Sequence, residues 1–342
     1  MSLEIVYEDP GGVGYHPVKH MVRLAAELLD GRLIVLPREP VKRRQKLAAL
    51  LPSRRGEGAG LLICASPGAL LALLRLDGWR RRYGRVAAWV FDSFWVDRIP
   101  RTFQTRRHFD RFFVTELEDR HEWERRTRTP VEWLPWGSDV LRLGSDAAER
   151  PVDVQRVGRQ PLEWEDDASS AAACARAGLS FRGRPEERED ATENQRTLMA
   201  AFSRAKFTLS FSNSVNPQVQ THPTRRYITG RWTDALGAGA TVAGVPPESA
   251  PAHQLLWPEA LLDLGSTGRE RGLEILRAAA RRWTPERARI NYLHALERLD
   301  WRRRFERIAA AMELDAPLLR GECAELDRRL RCRRVPVPAT GA

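Results

Sequence analysis

The sequence predicts an α/β protein built from two parallel-sheet domains in tandem. Three observations lead there. Short apolar runs alternate with helical patterns through the first half, the alternation restarts near residue 152, and after residue 267 only helical patterns remain. At 342 residues the chain is too long for one ordinary core and suits two.

The first series begins with an apolar strand at 3–7 and an amphipathic helix at 17–30 that Gly31 can terminate. Strands follow at 33–36, 61–65, 86–91, 111–115 and 131–134, with a basic helix at 40–51 and an apolar one at 67–76. The run from 61 to 76 is interrupted by Ser66, Pro67 and Gly68, so it reads as strand then helix rather than a membrane span. The second series has strands at 152–157, 179–182, 207–211, 240–243 and 260–264, with helices at 168–177, 193–204 and 231–238. Residues 147–151 make the expected linker. Thr284 and Pro285 then open a long helix predicted to run to Leu314, striped by Leu296, Leu299, Phe305 and Ile308. The stretch from Arg333, with Pro336 and Pro338, is expected to be disordered.

Composition excludes several classes. Apolar residues at 42% and charged residues at 30% describe a globular chain. The start Met-Ser-Leu-Glu-Ile lacks the basic and apolar regions of a secretory signal. Cys64, Cys174, Cys323 and Cys332 form no CxxC and read as reduced thiols, so a cytoplasmic location is expected. The seven histidines form no HExxH, and Asp166-Asp167 is not a DxD motif, so no metal is expected. Net charge is +11, yet only four of the 56 basic residues are lysines. That bias resembles codon usage and discounts any single arginine. The charge still favours an anionic partner: a diphosphate, an acidic membrane surface touched peripherally, or nucleic acid, the last disfavoured.

Chemistry concentrates where strands end. The first strand runs into Asp9-Pro10-Gly11-Gly12-Val13-Gly14, followed by Tyr15 and His16 and a helix. Glycines there allow close backbone approach, and the helix start offers free N–H groups to an anion. The alternative is a tight turn that binds nothing. Asp92 stands just past the fourth strand, placed for a general base or equally for a helix cap or an ion pair. Asp97 nearby reads as structural. Arg159 follows the first strand of the second series. The segment from His222 through Arg225, Arg226, Tyr227, Thr229, Gly230 and Arg231 to Asp234 crowds basic groups, hydroxyls and glycine at a helix start, as a diphosphate cradle requires.

Together these pieces resemble the GT-B glycosyltransferases, especially the retaining family-4 type and spore-maturation-like relatives. The resemblance spans residues 3–308 and rests on three places: the Gly-rich loop, Leu134-Pro135-Trp136-Gly137-Ser138-Asp139, and Asp234-Ala235-Leu236-Gly237-Ala238-Gly239-Ala240. It implies two Rossmann-like domains, an acceptor domain at 1–146 and a donor domain at 151–282. A return helix at 283–315 would cross back onto the first domain, leaving a tail at 316–342. By resemblance Asp234 would hold the ribose hydroxyls of a nucleotide sugar, and Arg159 would neutralise the diphosphate together with Arg225, Arg226 or Arg231. Where the retaining family has its two glutamates, this chain has Arg226 and Asp234. The implied activity is metal-independent transfer of a sugar from a nucleoside diphosphate to a small molecule, glycan, lipid or protein. A degenerate binding subunit, or a transferase acting on nucleic acid, are the alternatives.

Overall fold

A computed structural model describes residues 2–49, 54–217 and 221–334. The first domain holds a six-stranded sheet of β1 (Leu3–Asp9), β2 (Gly31–Pro37), β3 (Gly58–Cys64), β4 (Tyr83–Val90), β5 (Arg111–Val114) and β6 (Val131–Trp133). Its order is β2-β1-β3-β4-β5-β6 and every pairing is parallel. β3 and β4 are nearly continuous apolar runs because both of their faces are covered. One face packs against α1 (His16–Leu28), and a second apolar layer, including Leu70, Leu73, Phe103 and Trp123, covers the other. The apolar stretch after β3 coils as a 3-10 helix over Pro67–Arg75 rather than as an α-helix. The basic segment expected at 40–51 is helical over α2 (Arg43–Ala48); Leu51 lies outside the described residues. Beyond it α3 (Trp79–Arg82) leads into β4.

The second domain repeats the plan with β7 (Val152–Arg156), β8 (Phe181–Arg182), β9 (Ala205–Leu209), β10 (Thr241–Gly244) and β11 (Leu261–Asp263), ordered β11-β10-β9-β7-β8 and all parallel. α4 (Ala191–Ser203) is N-capped by Asp190, whose carboxylate accepts from the N–H groups of Thr192 and Glu193. α5 (Gly230–Gly237) leads into β10.

The single helix expected over 283–315 is two helices, α6 (Pro285–Arg298) and α7 (Trp301–Met312). The break has a clear cause. The Ser138 N–H donates to the Leu299 carbonyl at 2.8 Å, the Trp301 N–H donates to the Ser138 carbonyl at 3.0 Å, and Asp300 caps α7 by accepting from Arg302. Backbone groups that would continue the helix are spent on the strand-like bridge to Ser138 instead. Gly137 permits this contact, since a Cβ there would lie 2.6 Å from the Leu299 carbonyl. Leu296 and Leu299 therefore stay in the second core, while Trp301, Phe305, Ile308, Ala309 and Met312 of α7 enter the first.

The expected tail also proves structured over α8 (Pro317–Arg334), which straddles both domains. Leu319 and Cys323 join the first core, Leu326 and Leu330 the second. The expectation of disorder falls on residues 335–342, outside the described residues; Arg333 and Arg334 end α8. Val140 and Leu141 pack in the second core. Around this double crossing lies a buried ionic hub. Arg302 reaches Asp139 at 2.7 Å, Asp300 at 3.1 Å and Glu322 at 2.6 Å, and Asp139 also meets His20 at 3.0 Å. Despite burial, His20 and Arg302 hold the Asp139 carboxyl below its usual range.

Candidate functional site

The carboxyl ends of both sheets face one cleft of about 440 Å³, where doubly wound sheets bind their ligands. Its first-domain wall is Gly14, Tyr15, Pro17, Asp92 and Trp136. Opposite stand Gly158, Arg159, Asn213, Tyr227, Thr229 and Arg231, with Arg184, Glu186 and Glu187 at one end.

The second-domain wall is cationic. Gly158 takes φ +70°, and a Cβ there would lie 2.7 Å from the Arg231 side chain, so glycine lets the strand end close over that guanidinium. Arg231 donates to the carbonyls of Arg159 (3.0 Å) and Phe211 (3.2 Å) and to Asn213 Oδ1 (2.6 Å). Arg159 donates to the Asn216 carbonyl (3.1 Å) and to Thr221 Oγ1 (3.0 Å). Neither forms an ion pair with an acid among the described residues. Burial, and then Arg159, push the Arg231 guanidinium down to about 10. Thr229 precedes α5 without capping it, and its buried Oγ1 has no partner among the described residues. Two guanidiniums and an uncapped helix start thus share one wall.

The first-domain wall is acidic and aromatic. Asp92 follows β4 at the sheet's carboxyl edge, held there by its N–H bond to the Ala65 carbonyl at 3.0 Å. Burial pushes its carboxyl up to about 7, with Arg98 pulling the other way. At the end of neighbouring β5, Glu116 is pushed up to about 8 by burial and then by Asp119, Glu118 and Asp92. Trp136 packs edge-on to Phe91 at 4.6 Å, and Tyr15 completes the surface.

The other residues singled out in the sequence are dispersed. Gly11 and Gly12 make an exposed left-handed turn at φ +75° and +79°, pinned by Asp9 through the Gly11 N–H, and lie off the cleft wall. His16 is buried at the start of α1, off the wall, and burial lowers its pKa. His222 accepts from the Arg225 N–H at 3.2 Å and packs against Trp95, so it shapes a loop. Arg225 spans the domains to Glu118 and Asp119, both at 2.7 Å, and is spent on that contact. Tyr227 stacks on Phe94 at 4.5 Å. Arg226 is exposed and pairs with no acid among the described residues. Asp234 lies on the inner face of α5 rather than on the cleft wall; Ser138 Oγ donates to it at 2.6 Å, and burial pushes it up to about 6. Its neighbour Thr233 bonds the Gly137 carbonyl at 2.6 Å, so this face of α5 is packed on the hinge.

Sequence reasoning missed Tyr15 and Trp136 as wall residues, and missed Glu116, which is off the wall but close enough to Asp92 to act on its charge. The signal for Glu116 was available, because it follows β5 as Asp92 follows β4. Among the described residues no group of three or more His, Cys, Asp and Glu could hold a metal ion, and no helix is long and apolar enough to cross a membrane.

Two parallel-sheet domains sharing this cleft, with a C-terminal segment recrossing to the first, have the GT-B glycosyltransferase fold. No protein-family model matches the sequence, and no curated protein matches it either. In structure the chain is similar to a UDP-forming α,α-trehalose-phosphate synthase from Burkholderia xenovorans. The match has a TM-score of 0.51 at 11% identity and covers 92% of this chain and 99% of that one. A UDP-glucosyltransferase from Polygonum tinctorium matches at TM-score 0.43 and 11% identity, over 92% of this chain and 99% of that one. The calicheamicin glycosyltransferase CalG4 matches at 0.41 and 13%, over 93% and 100%. At 11% identity the likeness to the trehalose-phosphate synthase shows the fold alone.

Proposed function

We propose that the protein transfers a sugar from a nucleoside diphosphate to a hydroxyl acceptor held against the first domain. One observation supports this above others. Arg159 and Arg231 stand without an acid partner at an uncapped helix start, facing across the cleft a carboxyl whose pKa is raised to about 7. A diphosphate would satisfy those donors, since guanidiniums and free helix N–H groups both recognise phosphate oxygens. This reading moves the phosphate cradle away from Arg225, Arg226, His222 and Asp234, and keeps Arg159, Thr229, Gly230 and Arg231.

In the transfer, the acceptor hydroxyl gives its proton to the ionised Asp92 carboxylate. Its oxygen bonds the anomeric carbon as the bond from that carbon to the diphosphate breaks. The charge growing on the departing diphosphate is met by Arg159 and Arg231, already oriented by their carbonyl and amide bonds, so little reorganisation is needed. Tyr15 and Trp136 offer flat apolar surfaces for a sugar ring or an aromatic acceptor. Glu116, protonated at neutral pH, keeps a second negative charge away from Asp92.

Titrating nucleoside diphosphates and nucleotide sugars while following thermal unfolding tests the reading. Saturable stabilisation by a donor, shifted to higher donor concentration in Arg231→Met, is expected; equal response of that variant would remove the diphosphate assignment. A binding subunit without turnover is the second reading. It is favoured by Arg226 standing in solvent where the retaining family that the sequence resembles carries a glutamate. Tight donor binding with no transfer to any screened acceptor would select it.

A further inference from the structure

Away from the cleft, the first domain gathers uncompensated positive charge on one face. α2 and the residue before it expose Lys42, Arg43, Arg44 and Lys46, and none of these four pairs with an acid among the described residues. The helix buries none of its own side chains, and Leu47 is 65% exposed amid the cations. Arginine is abundant everywhere in this chain, but lysine is not: two of its four lysines stand here. Arg80 of α3 donates to the Ala49 carbonyl just past α2, so the two helices adjoin. α3 adds exposed Arg81, while Arg82 beside it pairs with Glu4 at 3.6 Å.

Beside α3 lies a depression of about 120 Å³ walled by Arg55, Arg80, Arg106, Arg107 and His108, of which Arg55 pairs with Asp110 at 2.6 Å. Arg80 Nη2 donates to His108 Nδ1 at 2.9 Å. Burial and the neighbouring arginines push the imidazole down to about 4, so it stays neutral and accepts that bond. The volume suits a single phosphate group.

We propose that this face docks the protein on a membrane surface rich in anionic phospholipid. Headgroup phosphates meet the α2 cations and the arginine-walled depression, while Leu47 enters the boundary between headgroups and acyl chains. A lone apolar side chain amid cations fits a lipid interface. Nucleic acid would call for aromatic rings open to stacking, and the tryptophan on this face, Trp79, is buried. The depression sits where β4 begins and the cleft where the strands end, so a docked protein keeps its cleft open to water. The inference is independent of what the cleft transfers.

Co-sedimentation of the full chain with vesicles tests it, using phosphatidylcholine alone and phosphatidylcholine mixed with phosphatidylglycerol. Binding to the mixed vesicles only, weakened by added salt, is expected. Each basic side chain near such a surface contributes roughly fivefold in partitioning, so the triple variant Lys42→Glu, Arg44→Glu, Lys46→Glu should lose about 100-fold or more. These side chains are exposed, so its thermal unfolding should match the wild type. Leu47→Ser should lose a smaller factor on the same vesicles without any change in salt dependence. Undiminished binding by the triple variant, equal binding to neutral vesicles, or binding to polynucleotide with none to vesicles would each overturn the proposal.

Discussion

The hinge and the cleft both bury charge, and they treat it in opposite ways. At the hinge Arg302 is fully buried, but Asp139, Asp300 and Glu322 surround it and His20 completes the set. At the cleft Arg231 and Arg159 bond only to carbonyls, an amide and a hydroxyl, while Asp92 faces them without a cation of its own in bonding contact. Charge removed from water is costly unless paired. The hinge meets that cost within the protein, so its charges fix how two domains cross. The cleft leaves its charges unmatched on two facing walls, an arrangement that a charged ligand would complete. The distinction separates structural ions from functional ones better than burial does.

The largest effect expected is on turnover. Asp92→Asn should lower kcat by about 10²- to 10⁴-fold while leaving donor affinity near the wild-type value. The wild-type rate should also climb with pH through about 7 as the Asp92 carboxyl ionises. A flat pH profile would take Asp92 out of the proton transfer. Next comes the hinge: Arg302→Met strands two buried carboxylates and should cost about 3–5 kcal/mol in denaturant unfolding. Arg231→Met should instead weaken donor binding roughly 10- to 100-fold, the worth of a charge-assisted hydrogen bond. If the two substitutions had the same consequence, the contrast between hinge and cleft would collapse.

A smaller effect concerns stability at the cleft itself. The native state holds the Asp92 proton more firmly than the unfolded chain does. The stability from that group is therefore complete below the unfolded carboxyl range and is lost as pH rises through about 7. Asp92→Asn removes the loss, so the variant should gain about 1–2 kcal/mol at pH 8, after discounting for partial solvent access, and nothing near pH 4. Urea melts at the two pH values check the sign. The smallest effect is expected at Arg226. Exposed and without an acid partner among the described residues, it should tolerate Arg226→Glu with donor affinity unchanged.

Much of the fold was legible because strand and helix periods are local. The apolar runs of β3 and β4, the helix expected at 193–204 and the restart at β7 are each written in adjacent residues. The site was legible only in part. Asp92 and Arg159 could be found from their place after a strand, a rule that Glu116 also obeys. Asp234 illustrates the limit. Family resemblance gives it a ribose-binding role, but helical geometry turns it onto the hinge, where Ser138 claims it. Arg225 and Arg226 are sequence neighbours with identical side chains, yet one bridges the domains and the other stands in solvent.

By itself, then, the sequence determined the two parallel sheets, because burial on both faces imposes continuous apolar strands whatever the partner. It also determined that cations would accumulate, since composition fixes net charge. Tertiary structure alone decided which cations are neutralised and where the last helix breaks. The pattern around Leu299 is continuous with a helix. The chain bends there because Ser138, far away in sequence, offers its backbone N–H and C=O to Leu299 and Trp301. Such a partner is supplied by the crossing of two domains, and no local period encodes it.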